Sequence, residues 1–126
     1  MPVDPIPTPS APPVAGPYSP AVRAGDWIVM AGQIGIDATG TMADGVEAQT
    51  RQILANIGAV LGGAEASWAD VAKTTIFLTD LGNFQTVSAL YSEAIGPHRP
   101  ARSTVGVAAL PGGAVVEIEC WVHQPA

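Results

Sequence analysis

One arginine and two glutamates near the C-terminus carry most of the chemical signal in this chain. Arg102 opens a strand-like run in the stretch PARSTVGVAALPGG, and Glu117 and Glu119 stand two residues apart in the apolar run AVVEIECWV. A guanidinium is a planar fork of donors that fits a carboxylate at two points. A glutamate can hold or polarise a water molecule. Charged residues are only 13% of the chain, and a charge set among apolar strand residues needs compensation. The pattern predicts one site that grips a small carboxylic acid and performs hydrolysis beside it. The residues alone support a plainer reading of Arg102 equally well, as an interface arginine paired with Glu117 or Glu119; the glutamates also read as the solvated face of a strand, a reading that their apolar flanks weaken.

Other positions carry weaker signals. Tyr18, in Gly16-Pro17-Tyr18-Ser19-Pro20, reads from composition as edge packing. Gly32, inside an apolar run, reads as a bulge or as backbone brought close to a ligand. Cys120 is the only cysteine and, among apolar neighbours, reads as a small buried hydrophobe rather than a nucleophile. The two histidines, His98 and His123, form no cluster with metal-ligand spacing, so no metal site is expected. Gly112-Gly113 reads as a turn; neither a following helix nor a P-loop lysine accompanies it.

The elements that must position these residues fit in one domain of 126 residues, 48% of them apolar. A net charge of −6 with five Lys and Arg argues against nucleic-acid or anionic-membrane partners, which require clustered cations. No apolar run reaches the roughly 18 residues of a membrane span, and no secretory signal is visible. With a single cysteine, a reducing cytoplasm is the simplest expectation. Residues 1–15 hold six of the 12 prolines and are predicted to be an extended, flexible arm. Residues 16–126 then form the folded domain.

Within it, residues 16–25 suit an edge strand. The run WIVMAGQIGI at 27–36 is predicted to be a strand buried on both faces. Helical spacing marks 46–61, stopped by Gly62-Gly63, and 83–95, with Asn83 as N-cap and Phe84, Val87, Leu90 and Tyr91 on one face. The β-branched run at 71–81 and the segments 102–109 and 115–122 complete the strands. This order predicts an α+β fold with two helices covering one face of the sheet. An uncovered, partly apolar second face calls for another subunit.

Alternation refines the placement. Val116, Ile118, Cys120 and Val122 suit the helix layer, which leaves Glu117 and Glu119 pointing away from it. Taking Ser103, Val105 and Val107 as the core side of the preceding strand puts Arg102 and Thr104 beside the glutamates, on the face that a partner closes.

Taken together, these blocks resemble the Rid family of reactive intermediate deaminases, also called the YjgF family. The strongest is Pro100-Ala101-Arg102-Ser103-Thr104 followed by Leu110-Pro111 and Val116-Glu117-Ile118-Glu119; Gly16-Pro17-Tyr18-Ser19, Ala31-Gly32-Gln33-Ile34 and residues 71–78 support it. The resemblance extends over residues 16–122. It implies a chorismate-mutase-like α+β fold, a homotrimer with clefts between subunits, and a last pair of strands that are not neighbours. It implies hydrolysis of enamines and imines such as 2-aminoacrylate to a 2-keto acid and ammonia, without metal or cofactor. Arg102 is then the carboxylate grip and Glu117 the residue that orients water. Tyr18 and Gly32 line the pocket, with Thr104 where many relatives have cysteine and Ser88 where close relatives have asparagine. The loop Gly96-Pro97-His98-Arg99 is shorter than usual and brings an extra arginine. A non-catalytic ligand-binding, regulatory or chaperone-like trimer using the same cleft is the competing reading.

Overall fold

The computed structural model describes residues 2–9 and 11–125. Six strands and two helices follow one another as β1 (Asp4–Pro5), β2 (Ala21–Ala24), β3 (Trp27–Gln33), α1 (Gly45–Gly63), β4 (Val71–Leu78), α2 (Phe84–Ile95), β5 (Ala101–Gly106) and β6 (Val116–His123). They form one mixed sheet in the order β1-β2-β3-β6-β4-β5. Only β4 and β5 run parallel, as the helical crossover between them allows. The other pairs are antiparallel. β5 and β6 are separated by β4, despite the turn residues that connect them.

Both helices cover one face. Ile28 and Met30 of β3, Ile76 and Leu78 of β4, and Val116, Ile118, Cys120 and Val122 of β6 meet Ile53, Ile57, Val60 and Leu61 of α1 and Val87, Leu90 and Tyr91 of α2. Each fully buried aliphatic side chain stabilises this layer by about 1.5–3 kcal/mol. The opposite face is open in the single chain. Trp121 is 44% and Val105 41% exposed there, and Val29 and Phe77 are half-buried. The run at 27–36 is therefore buried on one face only.

Several local expectations are corrected. Part of the proline-rich stretch is docked: Asp4 and Pro5 pair with Arg23 and Val22, Ile6 N–H donates to the Ala21 carbonyl at 3.1 Å, and the Ile6 side chain packs on the core. Asn83 makes no capping bond. Instead Asp80 accepts from Gly82 N–H at 2.8 Å, starting a tight turn at Leu81–Asn83 that leads into α2. The glycines do not supply the reversal after α1; the positive φ of 56° falls on Glu65. Ala66 N–H then returns to the Leu61 carbonyl at 2.8 Å.

Candidate active site

Glu117 lies on the open face of β6, opposite Phe77 of β4. On its other side β3 carries a bulge, since the register shifts between Met30 and Gln33. The extra residue bends that strand and brings the backbone of Gly32 under the Glu117 carboxylate. A Cβ at position 32 would overlap Glu117 Oε2 and stand 2.8 Å from its Cδ, so only glycine admits the carboxylate in this position. Gly32 is thus the bulge that the sequence suggested, and the close approach it permits is to the Glu117 carboxylate.

Tyr18, Gly32 and Glu117 border one cavity of about 440 Å³. Apart from Gln33, its remaining wall is apolar and includes Ile34, Ile36, Pro111 and residues 11–15. Sequence reasoning missed these wall residues, because a proline-rich segment without periodicity gives no sign of where it docks. Buried amides hold the wall. Gln49 Nε2 donates to the Ala43 carbonyl at 3.1 Å and Gln49 Oε1 accepts from Val115 N–H at 2.9 Å. Asn56 Nδ2 donates to the Ile36 carbonyl at 2.9 Å. Gly35 packs directly on Gln49, whose Cα would lie 2.6 Å from an added Cβ.

The cavity favours a protonatable acid. Burial raises the Glu117 pKa above the ordinary carboxylate range, and the like charge of Glu119 raises it further. Cys120 is excluded as a nucleophile, because burial pushes its thiol up to about 12.

Arg102 stands elsewhere. β5 pairs with β4 so that Arg102 is level with Thr74 and Thr104 with Ile76. Thr74 and Ile76 belong to the helix-covered face; Thr74 shares a 2.7 Å hydrogen bond with the Tyr91 hydroxyl of α2. Arg102 and Thr104 therefore lie on the helix side of the sheet, and the expectation that they share the open face with Glu117 is overturned. The alternation of β5 misleads because this strand is at the sheet edge. Its apolar Val105 faces the open side, level with Phe77, and belongs to an exposed surface rather than to the core.

The Arg102 guanidinium donates to Ser88 Oγ at 3.2 Å. It lies 5.3 Å from the Phe84 ring centre and 5.4 Å from that of Tyr91, both within cation–π range. None of these contacts neutralises its charge. Ser88 and Arg102 border a second cavity, of about 450 Å³, with Tyr91, Ser92, Ile95 and Arg99. Thr104 is close by on the same face, and its buried Oγ1 has no hydrogen-bond partner. The six predicted residues thus fall into two groups. Tyr18, Gly32 and Glu117 meet on the open face, while Ser88, Arg102 and Thr104 sit at the outer edge of the helix-covered face.

Known proteins resemble the chain over most of its length. The family model described as Endoribonuclease L-PSP matches residues 8–124. A reactive intermediate deaminase A of Arabidopsis thaliana chloroplasts is 44% identical over 91% of the chain, which spans 63% of that longer protein. A 2-iminobutanoate/2-iminopropanoate deaminase of Salmonella typhimurium is 42% identical over 90% of this chain and 92% of its own. Among solved structures, RidA from an Antarctic Psychrobacter superposes with a TM-score of 0.90 at 39% identity, over 94% of this chain and 97% of its own. The match spans nearly the whole chain, and the chain is a member of the endoribonuclease L-PSP family, the family of the Rid deaminases.

Proposed function

We propose that this protein hydrolyses 2-imino acids, and the enamines that tautomerise to them, to 2-oxo acids and ammonia, at a pocket completed by a second copy of the chain. The observation that carries the reading is the Glu117 carboxylate, held over Gly32 in a half-buried cavity with its pKa raised. An imine carbon is already electrophilic, so positioning and a placed water are the main requirements. Glu117 takes a proton from that water as its oxygen bonds to the carbon of the protonated imine and the carbon–nitrogen π pair moves to nitrogen. The protonated Glu117 then returns its proton to the carbinolamine nitrogen, the carbon–nitrogen bond breaks to release ammonia, and the hydroxyl proton passes to solvent as the carbon–oxygen double bond forms. Relatives whose names state this activity, including 2-iminobutanoate/2-iminopropanoate deaminases, support the same chemistry here.

The substrate carboxylate needs a cation, and Arg102 is on the other face of the sheet in the same chain. A second protomer seated on the open face can bring its own Arg102 to the Glu117 cavity. The exposed Trp121 and Val105 and the half-buried Val29 and Phe77 are the apolar surface that such a contact would cover. The family resemblance favours a closed homotrimer, which gives three equivalent sites. Because Cys120 is alone and buried, the assembly needs no disulfide, which suits a reducing compartment such as the cytoplasm.

Subunit mixing tests both halves of the proposal. Glu117→Gln and Arg102→Ala chains are each expected to lose release of 2-oxo acid from enzymatically generated 2-aminoacrylate. After mild dissociation and co-assembly, mixed oligomers contain some clefts with both native residues and regain part of the activity. If each variant is inactive and mixing restores nothing, the two residues do not meet across a subunit boundary. If both variants keep native rates, the deaminase site lies elsewhere.

A further inference from the structure

The cavity beside α2 contains two guanidiniums, and hydrolysis of a simple 2-imino acid needs only one. Arg99 and Arg102 both border it, together with hydroxyls of Ser88, Tyr91 and Ser92, and no carboxylate is among the described residues lining it. Arg102 donates to Ser88 Oγ at 3.2 Å and Arg99 Nη2 to Ser92 Oγ at 3.2 Å. Ser88 and Ser92 are four residues apart on one helix, so their side chains stand roughly 5–6 Å apart on one face. The two cations are therefore tethered side by side, one helical turn apart.

The loop holds Arg99 in this position. His98 Nε2 and the Val71 carbonyl are 2.8 Å apart in a hydrogen bond at the start of β4. Arg99 Nη1 donates to the His98 carbonyl at 2.8 Å and also to the Gly96 carbonyl. These acceptors are neutral, so the positive charge persists, and Nε and one Nη2 hydrogen are not used by these bonds. Both charges act on the Tyr91 phenol, opposing the upward shift that burial gives it.

We infer that Arg99 is a specificity-determining residue that receives a second carboxylate, so that the site takes 2-imino dicarboxylic acids in preference to alkyl imino acids. The inference rests on the reading of Arg102 as the grip for the carboxylate next to the reacting carbon. Arg102 holds that group, and Arg99, one helical turn away, meets an acidic end of the substrate side chain. A ligand that spans both cations gains a second charge-assisted contact, which an alkyl side chain cannot make.

Calorimetric titration of the assembled protein with two product-like probes, 2-oxoglutarate and 2-oxobutanoate, tests this. The wild type should bind 2-oxoglutarate tighter by about tenfold or more, the usual worth of one charge-assisted hydrogen bond. Arg99→Gln should bring the affinity for 2-oxoglutarate down to that for 2-oxobutanoate, and Arg99→Lys should restore part of the difference. Arg102→Ala should weaken both probes. Equal affinity of the wild type for the two probes overturns the inference. So does an Arg99→Gln variant that weakens both alike, since both arginines would then grip one carboxylate. Dissociation of the Arg99→Gln oligomer in light scattering, with probe selectivity retained, also overturns it, as Arg99 would then pair with a neighbouring protomer. If Arg102→Ala binds both probes like the wild type, the carboxylate grip itself is wrong, a failure separate from loss of selectivity in Arg99→Gln alone.

Discussion

The cavity over Gly32 and the cavity beside α2 are nearly equal in volume, about 440 and 450 Å³, yet they are made in opposite ways. The first surrounds one carboxylate with Ile34, Ile36, Pro111 and the proline-rich segment, and it raises the pKa of that carboxylate by burial. The second sets exposed guanidiniums among hydroxyls and aromatic rings, where no burial has to be overcome. They lie on opposite faces of one sheet. In the proposed mechanism one supplies the proton-transfer group and the other the charge, which makes a single chain two half-sites and catalysis a property of the assembly.

The most severe way to break this division is to neutralise its proton-transfer half. Glu117→Gln should lower turnover by roughly 10²–10⁴-fold, the usual range for loss of a general acid–base group, with little change in affinity for 2-oxobutanoate. Glu119→Gln should keep most of the turnover. Steady-state rates for both variants check the assignment, and a reversed order would move the catalytic role to Glu119. Displacing the carboxylate without removing it comes next. In Gly32→Ala the new methyl group overlaps the native carboxylate position, and a misplacement of about 1 Å can cost about 10²-fold in rate. Circular dichroism should show an intact fold, which separates displacement from unfolding.

A third change separates the two half-sites physically. Val105→Asp puts a charge on a surface that is exposed in the single chain, so the fold should tolerate it. Burying that charge between protomers is costly, so light scattering should report smaller species, and activity should fall with assembly. A stable, active oligomer of this variant would place the interface elsewhere. The smallest expected effect is a shift in pH dependence. If Glu117 acts as a base, activity is lost as pH falls through its raised pKa. Glu119 contributes to that elevation, so Glu119→Gln should move the acidic limb of kcat/KM to lower pH. A shift to higher pH would mean that Glu119 stabilises the ionised form of Glu117.

Legibility in the sequence follows position in the sheet. β6 is central and has one face on the core, so Val116, Ile118, Cys120 and Val122 identify the helix side, and Glu117 falls on the open side as its alternation indicates. β5 is an edge strand with apolar Val105 directed outward, so the same rule put Arg102 and Thr104 on the wrong face. Pairing partners decide such a case, and the parallel register with β4 is not written in β5 itself. The end of β3 was overrun because the apolar run continues past Gln33, while the bulge at Gly32 and the seat of Gly35 on Gln49 turn the chain away. A strand of two residues such as Asp4–Pro5 carries no period to detect. Ser88 stood out only through the family resemblance and Ser92 carried no signal; the pairing of each hydroxyl with a particular guanidinium depends on how the loop at Gly96–Arg99 folds back.

The place of β6 also affects how the chain is made. It is the last strand synthesised, yet it lies between β3 and β4 and joins them, with Trp27 opposite His123. During translation the earlier strands and both helices emerge with no central partner, and their apolar faces stay exposed until β6 has left the ribosome. Pairings between such distant parts of a chain form slowly and leave time for aggregation. Folding of the sheet should therefore wait for β6, and a premature stop before Val116 should yield an insoluble fragment rather than a weakened enzyme.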